Sequence, residues 1–193
     1  MTERFEDNTA IRRAMRQEMR ARRAGLSAAA HAGLSAQIVT HLRAALPAPK
    51  IAGFCWPINN EPDLRALLEA WARQGTRAAL PVVIAAATPL AFRLWTPDTP
   101  LIADRYGIPT PVAGEFVRPD LLLLPLNAFD RQGYRLGYGG GFFDRTLAAL
   151  SPRPLAVGVG FEINRVECIH PEKHDQRLDW IVTENGAIKF PAA

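Results

Sequence analysis

Gly133, Gly137, Gly139, Gly140 and Gly141 crowd into one short stretch, with Arg135 among them and Asp144 just beyond. That combination could hold a phosphate. Glycine lets the backbone come close to a ligand, and successive backbone N–H groups at the start of a helix attract an anion. Arginine adds a cation, and a carboxylate can carry a magnesium ion that accompanies the phosphate. The apolar run Leu121 to Leu126 precedes the glycines and has the length of a buried parallel strand. A helix-like segment, Phe142 to Leu150, follows them. The loop has no Lys-Ser/Thr ending of a P-loop, and Gly137-x-Gly139-Gly140-Gly141 does not complete a G-x-G-x-x-G pattern. Glycines alone would describe a flexible turn. Arg135 and Asp144 favour phosphate binding over that reading.

A second group of cations lies near the start of the chain. Residues 10 to 24 read as a helix in which Ile11, Met15 and Met19 form an apolar stripe. Arg12, Arg16, Arg20 and Arg23 form a stripe beside it. Such runs are usually solvated faces, although arginine also grips phosphate oxygens in bidentate fashion. Residue types alone favour the solvated face.

Further elements must position these groups. A helix is predicted over Ser27 to Leu46, with Ser27 as N-cap and Pro47 beyond its end. A strand, Lys50 to Cys55, runs into a loop from Trp56 to Glu61. The next helix begins at Glu61-Pro62-Asp63 and carries Leu64, Leu67, Leu68 and Trp71 at helical spacing. Strands are predicted at Arg77 to Val83, Leu90 to Trp95, Leu155 to Gly160 and Trp180 to Thr183, with a long proline-rich connection over 96–119. Strands alternating with helices imply a mostly parallel α/β sheet covered on both faces, in one domain spanning 1–193. Ligands in such sheets sit beyond the carboxyl ends of strands, so the Trp56 loop, the glycine loop and the residues after Gly160 should share one crevice. His174-Asp175 looks like a catalytic dyad, but adjacent residues cannot orient each other as a triad does, and the pair reads as structural.

Composition excludes some functions. Basic residues number 23 and acidic residues 19. The excess is local, because residues 1 to 23 hold seven arginines against four acids and the remainder is nearly neutral. A nucleic-acid binder would spread its basic surface further. No apolar run approaches a membrane span, and no secretory core opens the chain. Cys55 and Cys168 have no metal-like spacing and read as free thiols of a cytoplasmic protein.

The string Pro125, Ala128-Phe129-Asp130, then Gly133-x-Arg135-Leu136-Gly137-x-Gly139-x-Gly141-Phe142-Phe143-Asp144-Arg145 resembles the 5-formyltetrahydrofolate cyclo-ligase family, also called methenyltetrahydrofolate synthetases. The resemblance implies a three-layer α/β sandwich, monomeric, acting on small molecules without nucleic-acid or membrane partners. It implies ATP-dependent closure of 5-formyltetrahydrofolate to 5,10-methenyltetrahydrofolate, with ATP as co-substrate and Mg²⁺ as metal. Arg12 and Arg16 match the family's ATP-contacting helix positions. The run Arg135, Leu136, Gly137, Tyr138, Gly139, Gly140, Gly141, Phe142 and Phe143 matches its nucleotide loop, with Tyr138 to Phe142 also touching the folate. Arg135 and Gly139 to Gly141 would carry the catalysis. Trp56 and Glu61 match the folate loop, with Phe92 and Phe129 as further wall. Asp144 and Asp179 match the metal-associated acids. Val82, Thr110 and Asn164 depart from the family pattern. Two other readings stand beside this one. A phosphate-binding enzyme of another reaction class, such as a sugar-phosphate isomerase, would use the glycine loop without ATP. A nucleic-acid-binding protein would use the basic helix.

Overall fold

Leu121 to Leu124 are all buried, and their alternation supplies the core on two sides of one sheet. The computed structural model describes residues 2–191, with side chains from residue 8 onward. Residues 1, 192 and 193 of the expected 1–193 domain lie outside the described residues. The main sheet is built from β1 (Ile51–Gly53), β2 (Arg77–Val82), β3 (Ala91–Trp95), β6 (Phe116–Val117), β7 (Leu121–Pro125), β10 (Leu155–Val159), β11 (Trp180–Thr183) and β12 (Gly186–Lys189). Their order is β12-β11-β10-β7-β1-β2-β3-β6. The five central strands from β11 to β2 run parallel to their neighbours, while β12, β3 and β6 add antiparallel edges.

Helices α2 (Ala28–Ala45) and α3 (Arg65–Ala72) cover one face, where Ile38, Leu42, Leu67 and Trp71 pack on Leu121 and Leu123. Helix α4 (Phe142–Ala149) covers the other, where Leu147 joins Leu122 and Leu124. The expected three-layer, mostly parallel α/β sheet is therefore present. Each such buried leucine contributes about 1.5–3 kcal/mol relative to exposure. Ser27 caps α2, its hydroxyl accepting the Ala30 N–H at 3.2 Å. Helix α1 (Thr2–Ala24) packs in a separate cluster. Its Met19 packs with Ala128, Leu136 and Ile169, beyond the carboxyl end of β7.

The structure adds elements that periodicity did not predict. The connection over 96–119 holds a hairpin of β4 (Leu101–Ala103) and β5 (Pro109–Pro111), then β6. A second hairpin, β8 (Ala128–Phe129) with β9 (Arg135–Leu136), presents the glycine loop. Asp130 closes its turn, Oδ1 accepting the N–H groups of Gln132 and Tyr134 at 3.0 and 3.1 Å. Such two- and three-residue strands are too short to show an alternation. Phe92 and Phe129 are core residues, 3% and 0% exposed, and do not form a ligand wall.

Candidate active site

Parallel strands deliver their following loops to one end of the sheet. Cys55 and Trp56 after β1, Val83 after β2 and Pro125 at the end of β7 line a crevice of about 580 Å³ there. The glycine loop forms one wall. Gly139 and Gly141 have left-handed backbones, φ 97° and 63°, and Gly141 is the residue from which α4 starts. The crevice therefore receives a run of small residues at a helix N-terminus, where anions are stabilised.

Three arginines line this crevice. Arg16 donates from Nε to the Gly137 carbonyl at 2.8 Å, and its guanidinium lies against Gly139. Burial, then the charge of Arg12, pull Arg16 below the ordinary arginine range, so an arriving anion would relieve a strained cation. Arg12 is 7% exposed and forks onto Asp175, Nη1 to Oδ2 at 2.6 Å and Nη2 to Oδ1 at 3.1 Å. Burial works to raise the Asp175 carboxyl. The Arg12 hydrogen bonds, the Glu172 N–H and the Arg12 charge outweigh it and hold Asp175 below the usual carboxylate range. Arg135, 5% exposed, pairs with Asp144 Oδ1 at 3.2 Å and donates to the Gln176 carbonyl at 3.3 Å. Arg12 and Arg16 thus turn into the crevice instead of forming a solvated stripe, while Arg13, Arg20 and Arg22 are exposed.

The acids differ from the expected set. Asp144 lines the crevice, and its Oδ1 also accepts the Gln176 N–H at 2.9 Å. Asp179 does not join it. Asp179 precedes β11, at the amino end of the parallel strands, where Oδ2 accepts from Arg153 Nη1 and from the Ala156 N–H, both at 2.7 Å. The residue expected as second metal ligand is thus a strand-edge clamp at the opposite end of the sheet. Asp175, read from the sequence as structural, lines the crevice with Glu172 and His174. Leu136 also departs from expectation, being fully buried behind the loop with Met19.

The facing wall is the Trp56–Glu61 loop. The indole of Trp56 meets Trp95 edge-on at 5.9 Å between ring centroids. Glu61 is 5% exposed, takes the Ile58 N–H on Oε2 at 3.1 Å and accepts the Tyr138 hydroxyl on Oε1. Burial pushes the Glu61 carboxyl up, against Tyr138, the Ile58 N–H and Arg23. Tyr138 therefore spans from the glycine loop to the opposite wall. The β4–β5 turn supplies Asp104, Tyr106 and Ile108 at the mouth, with the Tyr106 ring 5.8 Å from that of Phe142. Phe143 also lines the crevice. The proline-rich connection carried no signal for Asp104 or Tyr106. The crevice joins a cationic, glycine-lined wall to an aromatic and carboxylate-bearing one.

The model of the 5-formyltetrahydrofolate cyclo-ligase family matches residues 8–184. The chain belongs to this family. A cyclo-ligase of Haemophilus influenzae is 33% identical over 181 residues, covering 89% of this chain and 96% of that protein. One from Escherichia coli K12 is 36% identical over 132 residues, 65% of this chain and 72% of that protein. The solution structure of Aquifex aeolicus 5,10-methenyltetrahydrofolate synthetase superposes with a TM-score of 0.80 at 29% identity, covering 95% of this chain and 94% of that one. The cyclo-ligase is thus an ATP-dependent ligase, with ATP as co-substrate, acting on a small folate. No helix among the described residues is long and apolar enough to cross a membrane.

Proposed function

We propose that this enzyme joins its substrates across the crevice, ATP on the Arg16–glycine-loop side and 5-formyltetrahydrofolate on the Trp56–Glu61 side. The observation that carries this is Tyr138, which belongs to the glycine loop yet bonds Glu61 on the other wall. The formyl oxygen attacks the γ-phosphorus and ADP departs. The N10 lone pair then attacks the activated formyl carbon, N10 loses its proton, and phosphate leaves with the former formyl oxygen. A formamide oxygen is a poor leaving group until it is phosphorylated. The protein's work is alignment and charge neutralisation. Arg12, Arg16 and Arg135 face the phosphates, and the backbone of Gly139 to Gly141 cradles them.

The donor set fits Mg²⁺, which takes hard oxygen ligands and usually one or two carboxylates beside substrate phosphates. Asp144 Oδ2 has no hydrogen bond among the described residues, and Asp175 lines the same crevice. These two acids, in place of Asp144 with Asp179, are the proposed holders. The metal would neutralise phosphate charge. We also propose that residues 1–193 act as one domain, as a cytoplasmic monomer; the two unpaired thiols suit a reducing compartment.

Absorbance of methenyltetrahydrofolate should rise only when 5-formyltetrahydrofolate, ATP and Mg²⁺ are all present. Equal turnover without nucleotide would remove the ligase mechanism. Arg16→Ala should weaken a non-hydrolysable ATP analogue about tenfold, the worth of one charged contact, and leave folate affinity unchanged. Analogue binding equal to wild type would return Arg16 to a merely structural role.

A further inference from the structure

Arg23, on the last turn of α1, is completely buried, yet no carboxylate pairs with it directly among the described residues. A guanidinium that leaves water needs all its donors used and a counter-charge nearby. Nε donates to the Asn59 carbonyl at 3.1 Å and Nη1 to the Leu126 carbonyl at 3.0 Å. Nη2 reaches Asn127 Oδ1 at 3.2 Å and the Tyr138 hydroxyl at 3.3 Å. Arginine can only donate. The Tyr138 oxygen therefore accepts from Arg23, and its own proton goes to Glu61 Oε1. The result is a directed chain from a buried cation through a phenol to a buried carboxylate.

The same residue shapes the loop that carries Glu61. Asn60 Nδ2 donates back to the Arg23 carbonyl at 3.2 Å, so Asn59 and Asn60 are both tied to Arg23. Both have left-handed backbones, φ 50° and 54°, a conformation that asparagine tolerates better than most residues but that still needs to be held in place.

We infer that Arg23 is a positioning residue for the folate: acting through the Tyr138 hydroxyl, it holds the Glu61 carboxylate oriented and ready to accept from a ring bearing N–H donors. This rests on the reading of the Trp56–Glu61 loop as the folate wall. Four groups face Glu61. They are Arg23 from α1, Tyr138 from the glycine loop, Cys55 from the end of β1, and His31 from α2, whose Nε2 lies 2.8 Å from the Glu61 backbone oxygen. Burial, and then Glu61 itself, raise the Cys55 thiol, so it stays neutral. The Tyr138 and Ile58 hydrogen bonds and then the charge of Arg23 act against the burial of Glu61. Removing the Arg23 charge moves protonation of Glu61 to higher pH, and a protonated Glu61 loses an acceptor. Folate binding should then fail as pH falls, while ATP binding should not.

The test is calorimetric titration of wild type, Arg23→Gln, Arg23→Lys and Tyr138→Phe with 5-formyltetrahydrofolate and with a non-hydrolysable ATP analogue, at about pH 6 and about pH 8. Relative to wild type, Arg23→Gln should lose about tenfold more folate affinity at the lower pH than at the higher, and keep its affinity for the analogue. Arg23→Lys should restore the wild-type pH dependence. Tyr138→Phe should reproduce the pH-dependent loss with Arg23 in place, and it decides the matter if Arg23→Gln does not fold. Equal weakening of both ligands at both pH values in Arg23→Gln, or wild-type pH dependence in Tyr138→Phe, would overturn the inference. If Glu61→Gln binds the folate as wild type does, the folate wall itself is misassigned and the inference falls with it. That result is recognisable without any Arg23 variant.

Discussion

Gly139→Val is expected to leave the enzyme unable to bind ATP. Gly139 has φ 97°, a backbone that a β-branched residue cannot take without strain of about 1–3 kcal/mol. Its Cβ would stand 3.5 Å from the Arg16 Cζ, so the valine methyls would push into the guanidinium that Gly137 holds. One substitution thus disturbs both the proposed N–H cradle and the arginine proposed to face the phosphates. Gly140 is a milder site. It lacks a positive φ, and a Cβ there meets the Phe142 ring at 2.8 Å, a side chain that can shift. Titration with a non-hydrolysable ATP analogue should show at least ~100-fold weaker binding for Gly139→Val, about 2.7 kcal/mol. Gly140→Ala should lose much less. Folate affinity in Gly139→Val should fall only as far as Tyr138 is displaced from Glu61. Analogue affinity near wild type in Gly139→Val would mean that the loop is a structural turn and that the phosphates lie elsewhere.

The same loop shows what could be read from the sequence. Strand β7, the glycines and α4 were legible because an apolar run, a glycine cluster and a helical period adjoin within a short segment. Arg12 and Arg16 were legible only through family resemblance, since a helical arginine stripe looks the same whether it faces water or a crevice. The acids separate in an instructive way. Asp144 is fixed by its place at the start of α4. Asp179 and Asp175 are close in sequence, and nothing in their residue type says which end of the sheet each reaches. The extended run into β11 carries Asp179 to the amino end, to Arg153, while Asp175 stays at the carboxyl end under Arg12. Tyr106 was out of reach for another reason. Its hairpin has strands of three residues, too short for any pattern, and its position depends on tertiary packing against Phe142. Arg23 was counted in the basic stripe, and only the structure shows that it is buried and bonded to the Trp56–Glu61 loop.

Asp144→Asn is expected to fold and to lose turnover by at least ~100-fold, with partial recovery in excess Mg²⁺. The change keeps the Oδ1 acceptor for Gln176 N–H but removes the charge at the crevice, and with it one of the two carboxylates proposed for the metal. It also leaves Arg135, 3% exposed at the side chain, without its ion pair. Breaking a buried pair costs roughly 3–5 kcal/mol when nothing compensates. Here the charge of Asp175 also acts on Arg135 and limits the loss. Thermal unfolding must therefore accompany the kinetics, so that lost stability is not mistaken for lost metal affinity. Asp179→Asn is the control. Its carboxylate clamps Arg153 and the start of β10, so the variant should melt earlier while its Mg²⁺ dependence stays that of wild type. Asp175→Asn should instead raise the Mg²⁺ needed for half-maximal turnover. It should also free Arg12, whose fork onto Asp175 must open before that arginine can meet a phosphate. The decisive comparison is the Mg²⁺ dependence of the three variants at a temperature where all are folded. A change confined to Asp144→Asn and Asp175→Asn supports a metal held at the carboxyl end of the sheet. A change in Asp179→Asn, with Asp175→Asn behaving as wild type, would mean that the sequence-based pairing was right and that this end of the sheet rearranges when the substrates bind.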